Sequence, residues 1–413
     1  EGVSFGFAAL GASVAIARID ATVETKVFGD SQVIGNTVII GSELNNSGGR
    51  NAYAVANSAS GGAIAGTGSS ATATADYNVS TEASGTLHGT TLLDINSTAN
   101  RATAQASASG VSGGIVSGGA VFATAGQRDG RNGLVSTTIG SGNLTGGTVV
   151  IGASGLSSLS ADVVAGSGGI GSFTSAEAKN IGGAITTTTV GTGDLMIEAN
   201  SLVVGANTDA EIYSKIDNLN ASLVGVSGAL GSDDFNSTAI MTIGGDATLK
   251  AFDLDFATIN AVSRDTLGGG ITVTSGSGGA LDVAAMRGRV TVTGRSDLIV
   301  SDGAVIEQLG NADNPGIFTM GLRSDFDLTD RQKLDSGGAI AIPKGNSSVV
   351  VDSNDSTLRI GDADITSVGK VTFYNGANAD IYSEVAATTY GLAGAAVGDS
   401  RAEFNSDTKI FID

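Results

Sequence analysis

Aspartates cluster at two places where they could bind a hard cation. Asp352 and Asp355 stand in one four-residue group, and Asp362 and Asp364 follow shortly after it. Carboxylate oxygens at turns are ligands that Ca²⁺ accepts. Neither the nonapeptide repeat of calcium-binding β-helices nor the EF-hand loop pattern is present. These four aspartates are therefore the candidate Ca²⁺ ligands of the chain, and solvated turns are the preferred interpretation of them.

Other residue types give catalysis little support. The chain has one histidine, His88, and no cysteine, so it can build neither a His-rich metal site nor a thiolate nucleophile. Residues 110–114 match the G-x-S-x-G pattern and residues 166–171 match the dinucleotide fingerprint, but no helical pattern follows either match. With 63 glycines, such matches are expected by chance. The sequence predicts that the protein is not an enzyme and has no catalytic residue and no cofactor.

The charge balance restricts the expected partners. Lys and Arg total 21 against 41 Asp and Glu, which gives a net charge of −20. Nucleic acid binding requires a clustered positive surface, so nucleic acid is not an expected partner. No apolar run reaches the ~18–20 residues that cross a bilayer, and we expect no membrane span.

Internal repetition decides the expected architecture. A polar residue followed by a short aliphatic strand recurs about every 53 residues, in the range of spacings that marks solenoids and propellers. The copies begin at Thr37, Thr91, Thr148, Asp194, Asp246, Asp297, Ser348 and Asp407. Glycine-rich stretches keep a similar spacing. They begin at Gly61, Gly113, Gly168, Gly228, Gly268, Gly337 and Gly391.

The elements within each repeat read as strands. Period-two alternation, enrichment in Val, Ile and Thr, and Gly/Asn/Asp/Ser turns favour short strands over helices. We therefore predict an all-β fold, a parallel β-solenoid (β-helix) of about eight degenerate repeats of roughly 53 residues. Each repeat forms either one wide coil or three triangular coils of ~18 residues, and the wide coil is preferred because equivalent segments agree better than successive ones.

The repeats predict one continuous domain over residues 1–413. Both ends fall within repeats and show no capping unit, so we expect a solenoid that is open at both ends. Residues 311–335 carry Pro315, several charges and no repeat marker, and they are predicted to be a non-repeat insertion or loop.

Residues 11–30 carry a resemblance to a known family. This segment runs from a Gly-Ala-rich strand through an Ile-Asp turn at Asp20 and a Thr-containing strand to a Gly-Asp turn at Asp30. It resembles the repeat of very large leukotoxin-type filamentous adhesins, and the match extends over residues 6–165 and weakens after about residue 175. The resemblance implies a secreted or surface fibre, exported by a partner pore, with no catalytic motif to transfer.

Two functions from different classes follow. The first is a structural or adhesive module of an extracellular or cell-surface bacterial fibre, which partners itself end to end or continues in a longer chain, and which binds host-cell or matrix glycans or proteins. The alternative is a polysaccharide-binding or polysaccharide-degrading β-helix of the tail-spike kind. That alternative needs a groove with clustered acids, Arg or Lys and aromatic platforms, and the chain has no Trp.

Overall fold

The computed structural model describes residues 1–45, 49–128, 132–264, 272–311 and 313–413, and these form strands and turns without a helix. Within these ranges, fourteen strands join one sheet in which the paired strands run parallel, which confirms the prediction of an all-β, parallel architecture. The strands are β1 (Gly2–Phe5), β2 (Ala8–Val27), β3 (Gln32–Asn45), β4 (Ala52–Gly126), β5 (Gly133–Val190), β6 (Leu195–Ile243), β7 (Ala247–Arg264), β8 (Val273–Val300), β9 (Val305–Gln308), β10 (Phe318–Ile360), β11 (Asp364–Thr366), β12 (Val371–Gly394), β13 (Val397–Phe404) and β14 (Asp407–Ile412).

None of the described residues belongs to a helix that is long and apolar enough to cross a membrane.

The register of the sheet decides the length of one coil. The spacing in sequence between strand partners is short at the pair Leu195 and Ala247 and longer at the pair Leu254 and Phe318. Even the shortest spacing exceeds fifty positions, so the alternative of three short coils in each repeat is wrong. Between a residue and its in-register partner, the chain completes one circuit of the stack, and we call each such circuit a level.

One level has a flattened cross-section. The chain runs outward along residues 148–165, reverses at 166–171, and returns along residues 172–190. The outward and returning faces share one core, in which Ala161 and Val163 pack with Ala176 and Ala178. Residues 191–194 then form a corner, and residues 195–199 make a short third side before the next outward face begins.

Two core regions with different side chains follow from this shape. The three-sided end is filled by large aliphatic residues such as Leu144, Ile151 and Ile197, which are fully buried. Each such side chain contributes roughly 1.5–3 kcal/mol when it is removed from water. The two-faced part is lined mainly by alanine, from Ala52 to Ala184, because its opposed faces leave room for small side chains. Many of the alanines of the sequence are thus core residues.

Glycine is required where the chain reverses. A side chain at Gly169 would place its Cβ 1.7 Å from the carbonyl oxygen of Gly114 one level below, and one at Gly391 would lie 1.7 Å from that of Gly338. No side chain fits at such a distance, so consecutive levels approach this closely only because glycine is present. Ser222, between Gly169 and Gly279, is the exception in this column.

The register corrects several assignments of repeat markers. The glycine-rich stretch at Gly228 lies on the returning face, and Ala221–Ser222 stands at the reversal of that level. At the next level the reversal is Gly278–Gly279, whereas the marker proposed at Gly268 lies outside the described residues. The eight polar–aliphatic markers also fall in several columns. Thr148 pairs with Ser201, and Asp194 precedes the short third side instead.

The prediction of a non-repeat insertion or loop at residues 311–335 is wrong for most of this segment. From Phe318 onward the segment belongs to β10 and pairs in register with β7 below and β12 above. Extra residues are accommodated before Phe318, in the connection between β9 and β10 that includes Pro315. In β10, charged residues such as Arg323 and Asp325 point to solvent, and they make the sequence of this segment unlike that of a core strand.

A column of threonines crosses the core at the junction of its two regions. Thr25, Thr81, Thr137 and Thr188 occupy equivalent inward positions at four successive levels. Each donates its hydroxyl to a carbonyl oxygen of the opposite face, at Gly41, Asn96, Gly152 and Gly205 respectively, over 2.8, 2.7, 2.6 and 2.6 Å. Apart from Thr25 at the lowest level, these side chains are fully buried. The column fixes the two faces relative to each other.

Replacement of Thr137 by valine tests this column. Valine keeps the shape and removes the hydrogen bond, so we expect the free energy of unfolding to fall by about 1 kcal/mol. Urea unfolding measures the change. Thr138→Val is the matched control, because Thr138 is the next residue of the same strand and faces outward. Equal effects of the two substitutions would contradict a role for the threonine hydroxyl.

Candidate functional site

The four candidate calcium ligands do not form a common site. All four are exposed, but Asp352 and Asp355 lie on the outer surface of the returning face, whereas Asp362 and Asp364 follow its end at Ile360. The Asp362 amide donates to the carboxylate of Asp302 over 3.0 Å. This hydrogen bond connects two stacked turns of neighbouring levels. Within the described part of the chain, no three His, Asp or Glu side chains are placed to hold a metal ion. The structure therefore gives Ca²⁺ binding at these aspartates no support.

His88 and Ser112 have structural surroundings. The His88 ring contacts the Thr145 hydroxyl of the next level through Nδ1 at 2.7 Å and the Thr90 hydroxyl through Nε2 at 3.4 Å. Ser112, the serine of the G-x-S-x-G match, is 2% exposed and pairs with Ser167 beside the reversal. A nucleophile must reach its substrate at an exposed strand-to-helix turn, and Ser112 does not.

A buried charged cluster lies inside the two-faced core, and no pattern of neighbouring residues predicts it. Arg264 is 2% exposed and forms ion pairs with Asp233 and, at 3.3 Å, with Asp330. Burial opposes the charge of Arg264, but the two carboxylates outweigh it, so the pKa of the guanidinium is raised. Asn180 donates to Asp233 over 2.7 Å, and Ser347 donates to Asp330 over 2.6 Å.

This cluster joins levels that are far apart in sequence. Both aspartates are at most 1% exposed, so neither carboxylate can meet a substrate from solution. Charges buried in this way are tolerated only when they are paired and hydrogen-bonded. The cluster is therefore a structural element of the core.

Two adjoining grooves on the returning face are lined by accessible charged groups. The first, of about 450 Å³, is lined by Arg287, Arg289 and Arg401 together with acidic and amide side chains. The second, of about 530 Å³, shares Arg287 and adds Lys344. Arg401 is ion-paired with Glu403, and Arg289 Nε donates to the Thr291 hydroxyl over 3.0 Å. These groups could hydrogen-bond hydroxyls or carboxylates, but none of the described residues that line either groove is aromatic.

The groove residues were missed because they come from separate levels. Arg287 pairs with Asn346, and Asn346 pairs with Asp399, so three segments that are distant in sequence build one wall. The sequence offered one local signal, the alternation of Arg287 and Arg289, which places both side chains on the outer surface of one strand.

The outermost levels expose part of the core. In β12, Ala379, Ile381 and Val385 point toward the alanine-rich core but are only partly buried, and Ala15 and Ile19 of β2 are similar at the other end. Both strands pair on one side only, with β10 and β4 respectively. Each outermost level therefore presents an unpaired parallel edge and a half-covered apolar layer.

Comparison with known proteins identifies no relative. No family model, no curated protein and no solved structure matches this chain. The resemblance to leukotoxin-type adhesin repeats thus stays a prediction from residues 6–165.

Replacement of Arg264 by methionine tests the buried cluster. The change leaves two buried carboxylates without a counter-charge, and we expect it to lower the free energy of unfolding by about 3–5 kcal/mol. Urea unfolding again provides the measurement. Arg295→Met is the control, since Arg295 is also ion-paired to an aspartate but its side chain is 57% exposed, and it should have little effect. Similar losses from both variants would show that burial of the pair is not the cause.

Proposed function

We propose that this chain is a structural and adhesive module of a secreted or cell-surface bacterial fibre. Its strands would then form a parallel β-solenoid of about eight degenerate repeats of the length that the sequence markers predict. The observation that carries the proposal is the continuous parallel register, which links β1 at one end to β14 at the other through in-register pairing of successive levels. Such a stack is a rod, because each level contacts only its neighbours and length grows with the number of levels.

The exposed cores of the outermost levels support growth of the fibre. An unpaired strand edge is a template for another strand, and the half-covered apolar layer gains free energy when it is covered. A further level can come from more of the same chain or from a second copy stacked end to end. Both ways extend the rod without a new kind of contact.

The outer faces of the stack are accessible and could supply the contacts for adhesion. The buried ion pairs and the inward Ser112 are sealed from solution, so the proposed function is non-catalytic and uses surface contacts. A rod presents equivalent faces many times, and weak contacts to host-cell or matrix glycans or proteins add up when they are linked. The absence of cysteine suits a chain that is exported unfolded, and the resemblance to filamentous adhesins points to the same extracellular location.

Electron microscopy of the purified chain tests the fibre. We expect rods of constant width built from units about 38 Å long, since about eight levels are spaced by ~4.8 Å, and rod length should grow with protein concentration. Ile381→Glu places a charge in the exposed core layer and should leave single units. Asn378→Glu, an outward change in the same strand, should not shorten the rods.

Single units of the unaltered chain at every concentration would contradict end-to-end stacking of copies. Rods that persist in Ile381→Glu would show that the exposed core layer is not the contact.

The grooves of the returning face favour the second candidate, polysaccharide binding. Arg287, Arg289 and Arg401 supply charge-assisted hydrogen bonds of the kind that acidic sugars accept. Under this candidate, Arg287→Ala should weaken retention on an acidic polysaccharide gel at least fivefold. Arg323→Ala is the control and should not weaken retention, because Arg323 is an exposed arginine of the face along which the chain runs outward. Equal retention of both variants would remove the candidate, and release of reducing ends would indicate degradation.

A further inference from the structure

An apolar ridge runs along the edge where the chain reverses. At the level of Ile170 the ridge consists of three outward or edge positions, Ile170, Gly171 and Phe173, and the in-register residues of the other levels continue it. The remaining ridge residues are Phe7, Ala8, Leu10, Ala63, Ile64, Gly66, Ile115, Val116, Gly118, Leu223, Val224, Val226, Ala280, Leu281, Val283, Ala339, Ile340, Ile342, Leu392, Ala393 and Ala395.

The ridge contains no polar side chain at any of its positions. Every level contributes at least one large apolar residue, and these side chains lie in solvent. Ile115, Ile170 and Leu223 are 56%, 57% and 56% exposed. Such an uninterrupted apolar strip on an acidic protein marks an interaction surface, because single exposed apolar residues are common but contiguous ones are not.

Neighbouring outward columns show that this composition is particular to the ridge. The column that passes through Glu177 carries Leu230, Arg287, Asn346 and Asp399 at successive levels. Only a few residues beyond the reversal, the outer surface is thus mixed and charged. The same backbone tolerates polar residues there, so geometry alone does not explain their absence from the ridge.

We propose that two copies of this chain pair side by side, ridge against ridge. The strip repeats every ~4.8 Å over all levels, and a partner that covers it must carry the same linear repeat. A second copy does so, whereas a globular partner would match only part of the strip. With a net charge of −20, two copies repel each other over most of their surface, and the uncharged ridge is where they can approach.

The local shape of the ridge allows interdigitation at some levels. Ile170 stands beside Gly171, and Ile115 shares its level with Gly118, so at these levels a large side chain lies beside a gap that a side chain of the partner can enter. The strip is about 34 Å long and about 10 Å wide, on the order of 340 Å² per copy. This is below the ~800 Å² per partner of a typical stable complex, so pairing is weak for one chain and strengthens as levels are added.

Lateral pairing is separate from the end-to-end growth proposed above. Leu223 lies at a middle level of the stack, and end contacts cannot bring two copies of it together. The proposal therefore survives or fails independently of the fibre.

Cysteine cross-linking tests the pairing directly, because the natural chain has no cysteine. Single variants Ile170→Cys and Leu223→Cys are oxidised mildly, alone and as a mixture, and disulfide dimers are followed by electrophoresis. We expect dimers to form at least tenfold faster than with Leu230→Cys, an outward position of the returning face. Parallel copies give the two homodimers, and antiparallel copies give the mixed dimer.

A second measurement tests whether a second copy or a lipid surface covers the ridge. Cross-linking of Ile170→Cys, with itself for parallel copies or with Leu223→Cys for antiparallel ones, should be abolished when Leu223→Glu is added to the Ile170→Cys chain. Leu230→Glu in the same chain should leave it unchanged. Ridge cysteines that react no faster than Leu230→Cys would overturn the proposal. Flotation of the monomer with phosphatidylcholine vesicles, abolished by Leu223→Glu in the absence of cross-linking, would also overturn it and assign the ridge to a lipid surface.

Discussion

The parallel ladder of backbone hydrogen bonds between successive levels is the interaction on which the structure depends. Each residue of a middle level has a partner above and below, so its inward or outward direction is inherited from level to level. The spacing between partners differs between the pair Leu195 and Ala247 and the pair Leu254 and Phe318. The inward or outward direction of the partners is nevertheless the same, because additional residues are placed at corners or in bulges such as the one at Asp352. At the reversal the ladder brings the Gly169 backbone so close to that of Gly114 that a Cβ cannot fit.

The ladder also divides the chemistry of the chain into a sealed interior and an accessible exterior. Inside, residues of the same type stack on one another from level to level, because partners point in the same direction. Threonine follows threonine from Thr25 to Thr188, and each bridges the two faces through the same kind of hydrogen bond. The one buried arginine, Arg264, is possible in the described core only because aspartates of two other levels neutralise it. Outside, the same stacking draws single residues into long strips, both the charged grooves and the apolar ridge.

The sequence predicted the strand content and the long spacing between equivalent segments because both are local or recurrent signals. It placed individual markers less well. Every side of a level begins with a polar corner and continues into an aliphatic strand, so Thr148 and Asp194 look alike although they lie on different sides. Residues 318–335 resemble an insertion in sequence because their outward charges mask the buried alternation of Phe326 and Leu328.

The ridge, the grooves and the threonine column could not be predicted, because each requires the register between segments that are distant in sequence or the contact between opposed faces. That register is also the central claim. In the structure, Ser232 pairs with Arg289, whereas the short triangular coils would place Ser232 beside Lys250. Disulfide formation in dilute solution distinguishes the two, since the bond requires Cα atoms about 4.4–6.8 Å apart. We predict an intramolecular disulfide in the variant with Ser232→Cys and Arg289→Cys and none with Ser232→Cys and Lys250→Cys; the reverse result would contradict the fold described.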